Sequence, residues 1–254
     1  MTAALSVAAP VLPAGRPAPA PGVPVRPGAR TLVIDPGHGG PDPGTIGVTG
    51  VAEKTIVLDM ALQLRTLLTA TGRYRVVLTR EADVFVPLRE RIRLAREAGG
   101  ELFISLHADS IGRDGFRGAA VYTLSDRASD EEAGLLASKE NKADIIHGAD
   151  LTNHDPLVSS ILIDLALRDT SNKSIEFADL LSVELAEVTP LVRRHRRFAG
   201  FAVLKSPDVP SVLVELGYLS NPDDAANLGD PAWRAKMSRA ILQAVDRYFA
   251  PPRS

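Results

Sequence analysis

The chain has 254 residues, of which 45% are hydrophobic and 24% are charged, a composition typical of a globular protein with a sizeable core. Its formal net charge of −2 excludes an overall basic field that would recruit nucleic acid or anionic membranes. Because the chain contains no cysteine, disulfides, thiolate metal sites and cysteine nucleophiles are excluded, and any metal site must use His, Asp or Glu.

The first thirty residues differ in composition from the rest of the chain. They hold seven of the nineteen prolines and show neither helical nor alternating periodicity. We predict that residues 1–30 are a disordered linker and that residues 31–254 form one domain. No secretion signal is recognisable, because no basic residue precedes the first apolar stretch and Pro10 and Pro13 interrupt it. The remaining apolar runs are too short for a membrane span, which needs roughly 18 residues.

The next hundred residues alternate between the patterns of strands and helices. Short apolar runs predict strands at 31–35, 74–79 and 102–106, and helical spacing predicts helices at 53–72 and 87–98. This alternation favours an α/β fold, with a twisted, mostly parallel central sheet flanked by helices.

The second half of the chain is mainly helical before the α/β pattern resumes. The patterns predict a strand at 119–124, then helices at 130–143, 156–167 and 171–188. Strands at 201–205 and 211–216 and a final helix at 232–249 follow. We therefore expect a single α/β domain interrupted by a helical insert at about 126–192.

Three potential metal ligands lie at the ends of predicted elements. His38 follows the first strand, Glu53 opens the first helix and His107 ends the third strand. Ligands bind at the carboxyl ends of strands in open α/β sheets, so this topology can bring the three side chains together. Two imidazoles and one carboxylate can hold zinc and leave a position for water, as in hydrolytic sites. The leading hypothesis is a metallohydrolase, although each residue alone is more often structural.

A fourth carboxylate, Glu215, lies within the apolar run at 211–216, where an unpaired charge would be costly. It could be a buried Glu paired with Arg or Lys, or it could point to a solvated sheet edge. It could also be a general base whose pKa is raised by its apolar setting, placed to take a proton from the attacking water.

These residues lie in four segments that together resemble the zinc-dependent N-acetylmuramoyl-L-alanine amidases of the cell-separation type. The segments are residues 35–40 (DPGHGG), 53–54 (EK), 105–109 (SLHAD) and 209–221 (VPSVLVELGYLSN). The resemblance implies that His38, Glu53 and His107 bind Zn²⁺ and that Glu215 is the catalytic residue. It also implies hydrolysis of the amide between the lactyl group of N-acetylmuramic acid and L-alanine of peptidoglycan. The location implied is the periplasm, with the export signal upstream of this chain.

The helical insert of this chain lies at the same place as a helical insert in periplasmic Gram-negative members of that family. The resemblance implies an autoinhibitory element that covers the site until an activator protein removes it. Glu132 and Glu140 lie eight residues apart in the insert, and Glu132 is our first choice, Glu140 the second, for a carboxylate that closes the zinc site. Alternatively, both are solvated charges. The apolar stripe of the predicted helix at 156–167 is either core or a docking surface for the activator.

Several further residues carry weaker signals. The basic run at 193–197 (RRHRR) is expected to be a solvated loop, with acidic groups of the stem peptide or a partner protein as alternative contacts. Asp35 and Asp109 could orient the imidazoles of the ligand histidines. His147 and His154 have no ligand spacing and are expected to be structural or exposed.

Two other functions fit parts of the pattern. A metallocarboxypeptidase-like hydrolase would share the metal ligands but need a cationic pocket for a terminal carboxylate. A non-catalytic peptidoglycan-binding domain would have no use for a buried base at position 215.

Overall fold

The computed structural model describes residues 26–110, 116–146 and 161–251. Most of the predicted linker, part of the predicted helix at 156–167, and His147 and His154 lie outside the described residues.

A six-stranded mixed sheet forms the centre of the domain, with strand order β2-β1-β3-β6-β4-β5. Strands β1, β2, β3 and β6 run parallel, whereas β4 is antiparallel to β6 and parallel to β5. The strands are β1 (Arg30–Pro36), β2 (Tyr74–Leu78), β3 (Leu102–His107), β4 (Ala119–Leu124), β5 (Leu191–Ala199) and β6 (Ser211–Glu215). The prediction of an α/β domain with a mostly parallel sheet is confirmed.

The inner strands are apolar because helices cover both faces of the sheet. Every residue of β3 and β6 is buried. The helices are α1 (Glu53–Ala70), α2 (Leu88–Glu97), α3 (Glu131–Glu140), α4 (Ala143–Ile146), α5 (Ile161–Ala186), α6 (Pro222–Gly229) and α7 (Pro231–Tyr248). Residues of α1, α5 and α7 share the larger core, while α2 and α3 contribute to the smaller core on the other face.

The structure differs from the sequence-based elements in the region before β6. The basic run at 193–197 belongs to strand β5 and is not a loop. The predicted strand at 201–205 is a short 3₁₀ turn, Ala202–Leu204. Where the chain is described, the two helices predicted at 156–167 and 171–188 are one continuous helix, α5.

Part of the range predicted for the helical insert, 126–192, packs in the core of the domain. The second half of α5 buries Phe177, Leu181 and Leu185 completely in the larger core, so this part belongs to the domain itself. Helix α3 buries only Ala133, Leu136 and Ala137 as apolar side chains. Removing α3 from the sheet would therefore expose less apolar area than removing α5. Among the described residues, no helix is both long and apolar enough to cross a membrane.

Candidate active site

The structure brings His38, Glu53 and His107 together at the carboxyl ends of β1 and β3. Glu53 Oε1 lies 3.2 Å from Nε2 of His38 and 3.2 Å from Nδ1 of His107. All three side chains are buried, and their potential ligand atoms lie within 4.8 Å of one another. The predicted convergence of the three ligands is thus present in the fold.

The donor atoms of this group fit a metal ion. Nε2 of His38 and Nδ1 of His107 are buried and have no hydrogen-bond partner among the described residues. Buried polar atoms are rarely left without a partner, so two such nitrogens facing one carboxylate fit the binding of a cation. The Glu53 carboxylate is fixed by the backbone N–H groups of Thr45 (2.9 Å) and Ala108 (2.8 Å). Two imidazoles and one carboxylate are a ligand set that suits zinc.

The loop that carries His38 approaches the other ligands closely. His38 itself has a φ of +59°, a left-handed conformation that is uncommon outside glycine and often occurs at functional sites. A Cβ at Gly37 would clash with the ring of His107, and one at Gly44 would lie 2.7 Å from Glu53 Oε2. The glycines of this loop therefore allow the ligands to pack together.

A hydrogen bond orients the imidazole of His38. Its Nδ1 lies 2.9 Å from Oδ2 of Asp42, the arrangement by which carboxylates hold metal-binding histidines. Asp42 was not predicted from the sequence, which suggested Asp35 and Asp109 for this role. Asp35 instead binds Arg91, and Asp109 accepts from Thr45 Oγ1 at 2.5 Å. The feature of the sequence that could have indicated Asp42 is its position four residues after His38 in the same glycine-rich loop.

Electrostatics within the group favour a negative Glu53 and a positively charged partner. Burial opposes charge on Glu53, but the neighbouring His38 and His107 outweigh it and hold the pKa of Glu53 well below its usual value. Burial would lower the pKa of His38, yet Glu53 and Asp42 raise it well above the usual value.

Glu215 lies beside His38, Glu53 and His107, which are called the metal-ligand group below because their donor atoms fit a metal ion. It ends β6 directly opposite His107 and is fully buried. Its Oε2 accepts a hydrogen bond of 2.9 Å from the backbone N–H of Asp109, while Oε1 has no hydrogen-bond partner among the described residues. Burial and the negative charges of Glu53 and Asp109 raise the pKa of Glu215 well above its usual value. The alternative of an ion pair with Arg or Lys finds no support, because no described Arg or Lys forms a salt bridge with Glu215.

The acidic side chain that reaches the group is Glu140, not the first choice, Glu132. Oε2 of Glu140 lies 3.4 Å from His107 Nδ1 and 3.6 Å from His38 Nε2, and burial raises its pKa. Glu132 instead lies 3.5 Å from Nη2 of Arg197. Glu140 comes from the last turn of α3, so this helix faces the metal-ligand group with its carboxyl end.

Contacts around Glu140 fasten α3 to the body of the domain. Lys139 Nζ donates to Oδ1 of Asp109 and, over 2.9 Å, to Oγ1 of Thr45. The Asn141 side chain donates to the carbonyl of Gly200 over 2.8 Å. A carboxylate on the next helix, Asp144, accepts from the N–H of Leu88 at the start of α2. Residues 130–144 are called the capping segment below.

A buried group able to hold a metal, adjacent to a buried carboxylate at the carboxyl ends of strands in an α/β domain, is an arrangement typical of hydrolases. The chain belongs to the N-acetylmuramoyl-L-alanine amidase family, whose profile it matches over residues 32–247.

Relatives named as amidases support this assignment. The chain is 41% identical over 223 residues to the N-acetylmuramoyl-L-alanine amidase AmiA of Escherichia coli (strain K12), covering 87% of this chain and 77% of AmiA. It is 33% identical over 240 residues to AmiC of Escherichia coli O6:H1 (strain CFT073), covering 94% of this chain and 57% of AmiC. The chain is therefore a peptidoglycan amidase acting on the cell wall, and neither a carboxypeptidase nor a non-catalytic binding domain.

Solved structures show the same fold. The catalytic domain of the amidase CwlV from Bacillus (Paenibacillus) polymyxa var. colistinus superposes with a TM-score of 0.60 at 26% identity, covering 86% of this chain and 97% of that domain. The amidase AmiC2 of Nostoc punctiforme gives a TM-score of 0.61 at 25% identity, covering 86% of this chain and 96% of AmiC2. The predictions of an enzyme and of an amidase catalytic domain are confirmed.

Proposed function

We propose that this amidase depends on zinc held by His38, Glu53 and His107, with Glu215 as the catalytic acid and base. The observation that carries the proposal is the pair of buried imidazole nitrogens facing Glu53 Oε1, each at 3.2 Å. The bond cleaved is the amide between the lactyl group of N-acetylmuramic acid and L-alanine. When bound, zinc would polarise the scissile carbonyl and lower the pKa of the attacking water.

Glu215 is placed to move the proton. Its Oε2 is held by the backbone N–H of Asp109, which leaves Oε1 to accept a proton from water. A raised pKa makes the carboxylate a stronger base than an exposed glutamate. The protonated Glu215 then delivers this proton to the nitrogen of the leaving L-alanine, so the carboxylate is regenerated.

Glu215→Gln tests the assigned base. The amide has nearly the same shape but cannot accept the proton, so we expect hydrolysis of purified peptidoglycan to fall by about 100-fold to 10,000-fold, with the zinc content unchanged. His107→Ala is the matched comparison, since it should lose both zinc and activity. A Glu215→Gln protein that cleaves peptidoglycan at the normal rate would exclude Glu215 as the base.

We further propose that the capping segment closes the site in the resting enzyme. Glu140 Oε2 lies within 3.6 Å of both histidine nitrogens, where its carboxylate would compete with water for a zinc ion held by these residues. The neighbouring contacts of Lys139 and Asn141 hold the segment in this place. Substrate could reach the metal only after these contacts break.

Opening would require a partner protein acting on the insert. We propose a periplasmic activator that binds the insert and withdraws Glu140, so that cleavage occurs during cell separation. The small apolar side chains that α3 buries, two of them alanines, support a segment that can leave the domain without unfolding it. The periplasm is proposed because peptidoglycan lies outside the cytoplasmic membrane.

A further inference from the structure

Arg197 is a buried cation whose carboxylate partners come from the capping segment. Its side chain is 3% exposed. Nε donates to Oδ2 of Asp130 over 3.0 Å, and Nη2 donates to the other oxygen of the same carboxylate. Glu132 lies 3.5 Å from Nη2. Among the described residues, its ion-pair partners are these two side chains at the start of α3.

The other contacts of Arg197 are aromatic residues outside the capping segment, Tyr122 and Phe116. Nη1 donates to the hydroxyl of Tyr122 over 2.9 Å. The guanidinium carbon lies 5.4 Å from the ring centroid of Tyr122 and 6.0 Å from that of Phe116. The hydroxyl of Tyr122 is in turn 3.5 Å from that of Tyr218. Arg197 therefore keeps its stacking and one hydrogen bond when the capping segment is withdrawn.

This site lies on the same side of the sheet as the catalytic carboxylate. In the register of β4 and β6, Ala120 is opposite Glu215 and Tyr122 is opposite Leu213. Residues two positions apart on a strand share a face and are about 7 Å apart. Burial raises the pKa of both Tyr122 and Tyr218, and the negative charge of Glu215 raises it further. Arg197, which is bonded to Tyr122, therefore lies on the same side of the sheet as Glu215.

The length of α3 gives the approximate distance between Arg197 and the metal-ligand group, because Asp130 contacts the first and Glu140 contacts the second. Asp130 and Glu140 are ten residues apart on one helix, or about 15 Å between their Cα atoms. An extended peptide covers about 3.3–3.6 Å per residue. About four residues of an extended stem peptide cover this distance, so a carboxylate on a long side chain at or shortly before the fourth residue from the cleaved amide is within reach of Arg197.

We propose that Arg197, with Tyr122, is a carboxylate-binding subsite that recognises an acidic group of the stem peptide, and that Asp130 occupies this subsite in the closed enzyme. A guanidinium binds a carboxylate through two parallel hydrogen bonds, which is how Arg197 binds Asp130. Withdrawal of the capping segment would leave this buried charge without an anion, which is unfavourable unless another carboxylate replaces it. The inference rests on the proposed amidase activity and its closed resting state.

Two synthetic muramyl peptides test the proposal, identical except that the acidic stem residue bears a free carboxylate in one and a carboxamide in the other. The chain carrying both Glu140→Ala and Asp130→Ala serves as the opened enzyme, because Asp130 would otherwise still occupy Arg197. We expect it to prefer the carboxylate substrate by about tenfold or more in kcat/KM, as for a hydrogen-bonded ion pair, chiefly through KM. Adding Arg197→Gln should abolish this preference, and Arg197→Lys should restore part of it.

The neighbouring Arg196 provides a matched control, because it lies on the same strand but is exposed and faces Asp179. Arg196→Gln should leave the preference intact. The ratio between the two substrates is internal to each protein sample, so partial misfolding of an Arg197 variant does not imitate the effect. Equal losses on both substrates in Arg197→Gln, or an unchanged preference, would overturn the proposal.

Equilibrium binding of the same two peptides separates this inference from the proposed function. A preference for the carboxylate peptide that depends on Arg197, without hydrolysis of either peptide, would support the subsite and refute the proposed catalysis. Hydrolysis without any Arg197-dependent preference would support the proposed catalysis and refute the subsite.

Discussion

At the level of single residues, the buried pair of Asp35 and Arg91 holds the backbone that presents His38. Arg91 Nη1 lies 2.8 Å from Asp35 Oδ1, and the same guanidinium donates to the carbonyls of Pro36 and His38, both at 2.9 Å. Thr79 and Ser105 donate their hydroxyls to Asp35 over 2.5 Å and 2.7 Å. Asp35 thus acts on the metal ligand through the loop and not through the imidazole.

We expect Asp35→Asn to reduce the free energy of unfolding by about 3 kcal/mol, because it leaves the charge of Arg91 buried without its partner. Zinc affinity should fall as well, since the His38 loop loses its anchor. Chemical denaturation and zinc titration measure the two effects. Asp208→Asn is the control, because the pair of Asp208 with Arg96 is about half exposed and such surface pairs contribute about 0–1 kcal/mol. Equal destabilisation by both substitutions would contradict this role.

The contribution of Asp35 also has a defined pH dependence. Burial raises the pKa of Asp35, but Arg91 and the two hydroxyls outweigh it, so the pKa lies below the ordinary value of 3.8. Its stabilisation is therefore fully present above about pH 4 and is lost as the pH falls through the lowered pKa.

The four residues at the centre of the site could be predicted because each stands in a short, specific segment of sequence. The choice between Glu132 and Glu140 could not be predicted from the sequence. Eight residues on a helix correspond to about 80° of rotation around its axis, so either side chain could face the cleft. The docking of α3 decides it: Ala133, Leu136 and Ala137 face the sheet, and Lys139 binds Asp109.

At the level of elements, helix α5 is part of the core and not a removable insert. Leu181 is fully buried on α5, whereas Val183, two residues further, is 54% exposed. We expect Leu181→Ala to lower the free energy of unfolding by about 2–5 kcal/mol through loss of burial and a residual cavity. Val183→Ala on the same helix should change it by less than about 0.5 kcal/mol. Thermal or chemical unfolding measures both, and similar small effects would place α5 outside the cooperative core.

Two elements before β6 differ from the sequence-based prediction, each for its own physical reason. Strand β5 contains four charged Arg residues and one His within five positions, a pattern more typical of a solvated loop. It becomes a strand because it pairs with β4, and because Arg197 is buried by Asp130 and Tyr122. The run at 201–205 is apolar but short, and periodicity alone cannot distinguish such a run from other buried segments.

At the level of the whole molecule, the capping segment spans the cleft with charges opposite to those it meets. Asp130 faces Arg197, Lys139 faces Asp109, and Glu140 faces the histidines of the metal-ligand group. In the proposed function, these three contacts along one short segment hold the resting state closed until a partner releases them. The regular elements of the α/β domain position the site residues, and the capping segment is proposed to control access to them.

The most direct test of this account compares the initial rate of peptidoglycan hydrolysis, at measured zinc content, for the wild-type chain and Glu140→Ala. Glu131→Ala, an exposed acidic residue of the same helix, is the control. We expect Glu140→Ala to be faster than wild type by about tenfold or more. This corresponds to a loss of about 1.4 kcal/mol or more from the free energy that favours the closed state. Zinc should remain bound, the newly exposed amino termini should be those of L-alanine, and Glu131→Ala should match wild type. A zinc-loaded Glu140→Ala protein that hydrolyses peptidoglycan no faster than wild type, or that cleaves a different bond, would contradict the account.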